Sequence, residues 1–507
     1  MAVRELKIWE ISHRRVQAIG RSYDQCRIMT LDDVANRTPK FWHCHKDGMI
    51  IHDPVAYILV TIQLNLVAGM SAKFIPSRRD PEPLLKEILN FDLSCALMLN
   101  EVSHSCDTRN LETTAILQPD RSFILNTPNP GARKFMPPSI SLEGTRRIAL
   151  VFALLIVEEQ DQGIRAFISW LLPAMEGGRV LDHSITSFNQ VRLPSNAILG
   201  DLKSPVNMRD NFLDAISRVN TGGMALLLCI IPFLKCTAFT VGLYRERVPI
   251  LFFRTQQLPV LHTFSQLAVM EAFAEWATTR YNDSSVSAVT RRALSVILKV
   301  LFLYYRKASL SDLIERCGAQ GMFPHNQLAQ LECLTRGSSI AEGEPLAISI
   351  WLIAELLLDK YGIPPAARPG SFLAKHEAGL FSELKERKDC LANHRGDEIN
   401  QYIIPHCRPM VVAIGLRMAY EAANDKGVDR DLLALYEAGT IKCHSAWFVE
   451  RLQLSRAAQF DMECKATNVV LSRFDEHLHG LEIEPYCTAP ILSSSEWERF
   501  IRALPMF

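Results

Sequence analysis

Residues 336–345 read Arg-Gly-Ser-Ser-Ile-Ala-Glu-Gly-Glu-Pro and stand directly before a strongly apolar run, residues 346–358. Pro345 suits the first position of a helix, where its missing N–H costs nothing. The pattern predicts a turn followed by a buried helix that stops near residues 359–362. The acid in this turn, Glu342, is therefore expected at the mouth of a helix and against a core.

Two interpretations of Glu342 are open. A carboxylate beside a core loses hydration, so its pKa rises and it becomes a better general base near neutral pH. Alternatively, Glu342 is a solvated acid that the positive end of the helix dipole stabilises, which is the commoner situation for this residue type. The turn by itself does not decide between them.

Composition excludes several classes of function. With 507 residues the chain exceeds the usual size of one core, so two or three domains are expected. The 55 Lys and Arg residues balance the 55 Asp and Glu residues, which gives no electrostatic argument for binding nucleic acid or an anionic membrane. The 13 cysteines lack the spacings of a disulfide framework, and residues 1–7 carry charge where a signal peptide is apolar. We therefore expect a reducing intracellular compartment.

Periodicity along the chain predicts an α–β–α order. Residues 114–125 alternate around the turn sequence Pro-Asp-Arg-Ser at 119–122, which is typical of a β-hairpin, and continuous apolar strands are expected at 148–156 and 164–170. Helices precede and follow this β region. The longest apolar stretch, 224–239, contains Pro232 and is too short for a bilayer, so it is predicted to be a buried helix rather than a membrane insertion.

A second segment, residues 97–115, reads Leu-Met-Leu-Asn-Glu-Val-Ser-His-Ser-Cys-Asp-Thr-Arg-Asn-Leu-Glu-Thr-Thr-Ala. It resembles the acyl-CoA oxidases, flavoenzymes of the acyl-CoA dehydrogenase superfamily, in which L-T-E-x-G-H-G and then N-L-E-T-T-A open the middle β-domain. Other segments resemble the family in the same order over about residues 25–360, which is more specific than one short motif. These are residues 41–47, 61–67, 127–130, 134–137, 255–257, 317–321 and the turn at Glu342.

The resemblance implies a divergent, fungal-type member of this family with an α+β, mainly α, fold. The N-terminal helical domain is expected at residues 1–95, the middle antiparallel β-barrel domain with the flavin and acyl-CoA contacts at 96–205, and a helical bundle with the catalytic base at 206–370. A further C-terminal helical domain is expected at 371–507, since its patterning resembles the domain that separates the oxidases from the shorter dehydrogenases.

The resemblance also implies a reaction. Glu342 would be the catalytic base that removes the α-proton of an acyl-CoA thioester, while a hydride leaves the β-carbon for FAD and trans-2-enoyl-CoA forms. Molecular oxygen would then reoxidise the flavin and yield hydrogen peroxide. The process would be fatty-acid β-oxidation or a specialised, secondary-metabolite acyl pathway.

Five further positions carry the implied cofactor contacts. Asn100 aligns with the family's flavin-contacting Thr, and Pro138 with the first Gly of a flavin-facing loop. Gln256 belongs to the Thr-Gln-Gln segment at 255–257. Gly318 and Gly321 match a glycine turn that approaches the dinucleotide of a partner subunit, where a missing side chain permits close approach, so a homodimer is expected.

Departures from the family pattern support a second hypothesis. Asn100 is longer than Thr, and Pro138 lacks an N–H that a backbone contact would use. The segments at 171–180 and 244–249 are shorter than in the family, and Gly-Glu-Pro at 343–345 replaces Gly-Asp-Asn. The alternative is a non-catalytic paralogue that binds acyl-CoA or a partner subunit without flavin turnover.

Two other functional features, a metal site and a cysteine nucleophile, are not predicted. A metal site at His43, Cys44, His45 and His52, or at His104, Cys106 and Asp107, matches no standard zinc spacing, so no metal is predicted. Cys317 is expected to be a packed thiol rather than a nucleophile. The resemblance implies a peroxisomal location, and otherwise a cytoplasmic one, because residues 504–507 do not form a Ser-Lys-Leu-type address.

Overall fold

The computed structural model describes residues 15–16, 18, 29–104, 107–138, 146–171, 183–247, 251–391 and 396–504. The chain packs as two compact units, the first made of residues 1–45 and 53–226 and the second of residues 46–52 and 227–507. The predicted division into four domains is finer than this one and stays a prediction. The expectations that concern residues 1–7, Cys106, 172–180, 248–249 and 505–507 lie outside the described residues.

The first unit opens with short helices, as predicted for the N-terminal region. They are α1 (Leu31–Asn36), α2 (Pro39–Cys44), α3 (Pro54–Thr61), α4 (Gly69–Ala72) and α5 (Glu82–Leu89). A π-helical segment, Ile62–Ala68, joins α3 to α4. Asp53 caps α3, because its carboxylate accepts a hydrogen bond from the Ala56 N–H at 2.9 Å and so satisfies one of the free donors at the helix start.

Nine strands follow in the described part of the chain. They are β1 (Leu93–Met98), β2 (Thr114–Leu117), β3 (Phe123–Asn126), β4 (Lys134–Pro138), β5 (Arg146–Val157), β6 (Gln160–Leu171), β7 (His183–Thr186), β8 (Val191–Leu193) and β9 (Ile198–Leu199). The main sheet has the order β8-β3-β2-β5-β6-β9, with β1 also paired to β5, and β4 and β7 form a separate ribbon. The predicted hairpin is confirmed as the antiparallel pair β2–β3. The strands β1 and β2 both run parallel to β5, so the sheet is mixed and the expectation of a purely antiparallel β-domain was wrong.

A buried ion pair holds the chain together where β1 ends and β4 begins. Glu101 and Lys134 are both fully buried, and the Lys134 Nζ lies 3.0 Å from Glu101 Oε1. Lys134 also donates to the Leu99 carbonyl at 3.2 Å. Glu101 accepts three more hydrogen bonds, from the Glu112 N–H at 2.8 Å, the Thr113 N–H at 3.0 Å and the Thr113 hydroxyl at 2.6 Å. Each buried charge is therefore paired and hydrogen-bonded, which is the condition for burying it at tolerable cost.

Two further helices, α6 (Met208–Ala215) and α7 (Ser217–Leu228), follow the sheet. The Arg218 guanidinium at the start of α7 donates to the carbonyls of Val34 and Ala35 at 2.7 and 2.8 Å. The Tyr57 hydroxyl donates to the Ala225 carbonyl at 2.8 Å. These hydrogen bonds fasten α7 to the N-terminal helices within the first unit.

The second unit is helical in its described residues. Its helices are α8 (Ile230–Arg247), α9 (Arg254–Asn282), α10 (Ala288–Tyr305), α11 (Ser311–Arg316), α12 (Leu328–Ile340), α13 (Pro345–Leu357), α14 (Phe372–Asp389), α15 (Asp397–Tyr402), α16 (Ile404–Lys426), α17 (Arg430–Cys443), α18 (Ser445–Leu452), α19 (Arg456–Ser472), α20 (Phe474–His479) and α21 (Ser494–Arg502). A π-helical segment, Arg306–Leu310, joins α10 to α11. Helix α16 packs against α9, α10, α13 and α14 and lies at the centre of the bundle.

The predicted fold class, α+β and mainly α, is confirmed: helices dominate and the β region forms a curled sheet. Two local expectations need correction. Helix α12 continues to Ile340, so the turn that holds Glu342 is shorter than residues 336–345 suggested. The apolar stretch 224–239 is buried as expected but is not one helix, since α7 ends at Leu228 and α8 begins at Ile230. Pro232 explains the break, because it has no N–H to donate to the Leu228 carbonyl.

Among the residues that the structure describes, two helical stretches are long and apolar enough to cross a membrane, namely Pro54–Ala72 and Met208–Tyr244. However, 83% and 94% of the residues in their most apolar windows are buried inside the protein. Such burial is what core helices show, and a helix that is hydrophobic on all sides must be covered by protein or by lipid.

The pairing of Glu101 with Lys134 gives a stability prediction. Lys134→Met should lower the free energy of unfolding by about 3 kcal/mol, because it leaves the buried Glu101 charge without its counterion. The matched control is Arg192→Ala, which breaks an ion pair with Asp120 whose side chains are 63% and 54% exposed, and which should cost less than about 1 kcal/mol. Urea-induced unfolding of the full chain measures both; equal losses in the two variants would contradict the assignment.

Candidate functional site

The turn that carries Glu342 is short and has an unusual backbone. It connects the end of α12 at Ile340 to the start of α13 at Pro345. Glu342 has φ +58°, in the left-handed region that side chains other than glycine rarely adopt, and Gly343 follows with φ +109°. The Glu344 carboxylate caps α13 by accepting from the Ala347 N–H at 2.8 Å. Glu342, the acid identified from the sequence, thus has an energetically unfavourable backbone conformation, and Glu344 caps the helix.

Glu342 is half-buried as a residue, and protein encloses one oxygen of its carboxylate. Its Oε2 atom is buried and has no hydrogen-bond partner among the described residues. Burial raises the pKa of Glu342 to about 8, and the positive charge of Lys299 opposes that rise. Of the two interpretations that the sequence left open, the desolvated carboxylate matches this environment and the solvated helix acid does not.

Lys299 is the partner that sequence reasoning missed. It lies in α10, is only 2% exposed, and its ammonium donates a hydrogen bond to the carbonyl of Ala341, the residue just before Glu342. Burial lowers the pKa of Lys299, while the charges of Glu342 and Glu344 oppose the fall. The sequence feature that could have identified it is a single lysine inside the otherwise apolar run 296–303. A lysine in such a run is expected to be buried, and a buried lysine normally has a partner.

The two glycines of the turn at 318–321 are favoured for different physical reasons. A Cβ on Gly321 would lie 2.4 Å from the Ile314 carbonyl oxygen, so this position must be glycine to let α11 pack. Gly318 has φ +56° and no heavy atom within 4 Å of its Cβ position, so its backbone is open to an incoming group. Cys317, between α11 and this turn, is 4% exposed, in agreement with the expected packed thiol.

Gln256 lies in the first turn of α9 and is half-buried, and its N–H donates to the Phe253 carbonyl at 2.8 Å. The next residue, Gln257, is buried, and its side-chain amide donates to the Leu251 carbonyl at 2.8 Å. The two glutamines therefore have different surroundings. The amide of Gln257 holds residue 251 to the helix start.

Asn100 and Pro138 belong to the first unit. Asn100 follows β1, is exposed, and its backbone carbonyl accepts from the Phe135 N–H at 3.0 Å. Pro138 ends β4 opposite His183 of β7. The buried Glu101–Lys134 pair lies next to Asn100 in sequence and ties its segment to β4. Burial alone would raise the pKa of Glu101, but the Lys134 charge and the hydrogen bonds from Thr113 and Glu112 hold it below its usual value.

The structure brings only some of the predicted site residues together. Within the second unit, Glu342 and Lys299 interact, and Gly318 and Gly321 share one 3₁₀ turn. Within the first unit, Asn100 lies beside the start of the β4 strand that ends at Pro138.

Two of the residues considered as metal ligands contact other side chains. The His45 ring is buried, with Nδ1 3.1 Å from the Tyr57 hydroxyl, and burial lowers its pKa to about 3. His104 pairs with Glu112 through Nε2 at 3.0 Å. Among the described residues, no group of three or more His, Cys, Asp or Glu side chains is arranged to hold a metal ion.

Comparison with known proteins shows sequence similarity to acyl-CoA oxidases. No family model matches the chain. It is 26% identical over 326 residues to a peroxisomal protein of Arabidopsis thaliana, acyl-coenzyme A oxidase 2, covering 54% of this chain and 46% of that one. It is 23% identical over 300 residues to human peroxisomal acyl-coenzyme A oxidase 3, covering 49% and 42%. The matched region thus spans about half the length of these curated relatives.

The fold is similar over nearly the whole chain. Acyl-CoA oxidase 1 from Yarrowia lipolytica has a TM-score of 0.74 with 15% identity, covering 96% of this chain and 86% of that one. Acyl-CoA oxidase-1 from Caenorhabditis elegans, solved with FAD and ATP, has a TM-score of 0.72 with 14% identity, covering 95% and 87%. The chain thus combines sequence similarity to several acyl-CoA oxidases with the fold of that group, and the low identities are those of a divergent sequence.

Proposed function

We propose that this protein is an FAD-dependent, acyl-CoA oxidase-like enzyme. Its reaction is the α,β-dehydrogenation of an acyl-CoA thioester to the trans-2-enoyl-CoA, with O₂ reduced to H₂O₂. The reaction serves fatty-acid β-oxidation or a specialised acyl pathway. The observation that carries the proposal is the enclosed Glu342 carboxylate, with its raised pKa and its unpartnered Oε2, at the position of the family's base.

The residues present fit FAD at two of the positions that the resemblance assigns. Asn100 presents an exposed amide, which both donates and accepts, and Gly318 leaves its backbone open where a side chain would obstruct a dinucleotide. Pro138 fits less well, since it offers no N–H. By resemblance, Asn100 and Gln256 are each proposed as FAD contacts, and Gly318 and Gly321 would face the flavin of a second copy in a homodimer. When bound, FAD supplies the acceptor for the hydride that leaves the β-carbon.

Glu342 performs the proton transfer in this proposal. A carboxylate whose pKa is raised to about 8 is a stronger base than an ordinary glutamate, so it removes a weakly acidic α-proton more readily. The oxygen that lacks a protein partner, Oε2, is free to accept that proton. Enclosure by protein also excludes water, which strengthens the electrostatic interactions around the reacting atoms.

Lys299 controls how readily Glu342 reaches the ionised form that a base must have. Its positive charge opposes the rise in the pKa of Glu342. Its hydrogen bond to the Ala341 carbonyl also ties the turn to α10, so the charge and the acid keep a constant separation. Lys299 is therefore a positioning residue, which acts on the reaction through Glu342.

Substrate, partners and location follow from the family resemblance. Acyl-CoA is the proposed substrate, O₂ the electron acceptor, and a second copy of the chain the partner. A peroxisomal location is proposed because relatives in Arabidopsis thaliana and human are named peroxisomal.

The alternative, a non-catalytic paralogue, predicts a different spectrum. The enzyme should be purified yellow, with flavin absorption between about 350 and 500 nm that bleaches on anaerobic addition of a medium-chain acyl-CoA and returns with peroxide in air. Protein that binds acyl-CoA but takes up no FAD on reconstitution would establish the paralogue instead. The missing N–H of Pro138 is the observation that favours that second candidate.

Replacing the base gives a direct test of its role. Glu342→Gln should lower enoyl-CoA formation by about 10²–10⁴-fold while the flavin stays bound, because the amide cannot take the α-proton. The matched control is Glu344→Gln, two residues away, which affects the cap of α13 and leaves the base in place. Near-normal turnover in Glu342→Gln, or an equal loss of turnover in Glu344→Gln, would contradict the assignment of Glu342 as the base.

Protonation of Glu342 should also be visible in stability. Since its pKa is about 8 in the folded chain against an ordinary 4.5, the native state keeps a proton that the unfolded chain has lost. The stability contributed by Glu342 is therefore complete below pH 4.5 and is lost as the pH rises toward 8. Relative to Glu342→Gln, the wild type should lose up to about 1.4 kcal/mol of unfolding free energy per pH unit in that window. Urea unfolding at a series of pH values measures it, and parallel curves would contradict the shift.

A further inference from the structure

Two cysteines far apart in sequence meet in the second unit. Cys236 lies in α8, and Cys487 directly follows the 3₁₀ turn Glu484–Tyr486. Their sulfur atoms are 3.5 Å apart, although 251 positions separate them in the chain. Both are free thiols.

The two thiols have unequal surroundings. Cys236 is completely buried, whereas Cys487 is partly open to solvent. The neighbouring Cys487 thiol and burial together hold the pKa of Cys236 well above its usual range. Cys487 also lies 3.4 Å from the Ile483 carbonyl oxygen, which is a weak acceptor contact. A soluble oxidant therefore reaches Cys487 first, with Cys236 placed behind it.

The fold holds Cys487 in place from both sides. The ring of Tyr486 packs against Gly48, where a Cβ would come within 2.4 Å of it. The N–H of Thr488 donates to the Gln327 side chain at 2.8 Å. Because Tyr486 and Thr488 are both held by these contacts, the packing of the segment keeps Cys487 next to Cys236. Forming an S–S bond of about 2.05 Å requires the sulfur atoms to approach by only about 1.5 Å more.

We propose that Cys236 and Cys487 form a redox modification site, a disulfide made on exposure to a hydroperoxide. The Cys487 thiolate attacks one peroxide oxygen, which forms a sulfenic acid and releases water or an alcohol. The Cys236 sulfur then attacks the sulfenic sulfur, the S–S bond forms, and a second water leaves with the two remaining hydrogens. Overall, two thiols lose two electrons and two protons, and the peroxide O–O bond is reduced.

The bond would fasten the segment around residues 481–492 covalently to α8. That segment now contacts α8 through non-covalent packing only, in the residues described. A crosslink across so long a loop restricts the unfolded chain and is expected to stabilise the unit. The inference does not rest on the proposed function, since any source of peroxide is sufficient.

The test uses the full chain, treated with hydrogen peroxide at a small molar excess, blocked with an alkylating reagent and digested without reduction. We expect one linked pair of peptides containing Cys236 and Cys487, with a mass about 2 Da below the sum of the free peptides. The unfolding temperature should rise on oxidation and return with dithiothreitol. Both readouts apply to the wild type, so neither depends on a variant that folds.

Matched variants distinguish this pair from general thiol oxidation. Cys487→Ser should lose the linked peptide and the temperature shift, and Cys390→Ser, which removes an exposed cysteine elsewhere, should keep both. The proposal is overturned if Cys236 of the peroxide-treated protein is still fully alkylated in denaturant, or if Cys487 is found only as sulfinic or sulfonic acid. A crosslink of Cys487 to any other cysteine would overturn it equally.

Discussion

The enclosure of the Glu342 carboxylate is the constraint on which the proposed chemistry depends. An acid without a hydrogen-bond partner for one oxygen holds its proton longer, because the protein does not replace the water it has lost. Lys299 limits this effect, since its charge favours the ionised form. The helix junction at residues 341–344 places the acid near the ammonium, so the Lys299 charge opposes the effect of burial on the pKa of Glu342.

The chain contains a second buried glutamate that behaves in the opposite way. Glu101 receives one ammonium and three hydrogen bonds, and its pKa falls below the usual value although burial opposes the fall. A carboxylate with so many donors is a structural anchor and a poor base. In Glu101 the Lys134 charge and three hydrogen bonds outweigh the effect of burial on the pKa, whereas in Glu342 burial outweighs the Lys299 charge.

Much of the local structure was predictable because it depends on short-range patterns. The apolar run after Pro345 predicted α13 within one residue of its end, and the alternation around Pro119–Ser122 predicted the β2–β3 hairpin. The sequence predicted too long a turn at Glu342 and missed the break before α8. Both depend on where one helix ends, which backbone geometry and a proline decide more sharply than hydrophobic periodicity does.

The sequence by itself determined the fold class, the order of helices and strands, and the resemblance to acyl-CoA oxidases, because apolar periodicity and several ordered segments are properties of the chain read in one dimension. Only the tertiary structure decided that Lys299 accompanies Glu342, that Lys134 neutralises Glu101, and that Cys236 meets Cys487. Each of these pairs joins residues that are 33 to 251 positions apart. Charge and thiol chemistry depend on distances of a few ångströms, and packing in three dimensions sets those distances.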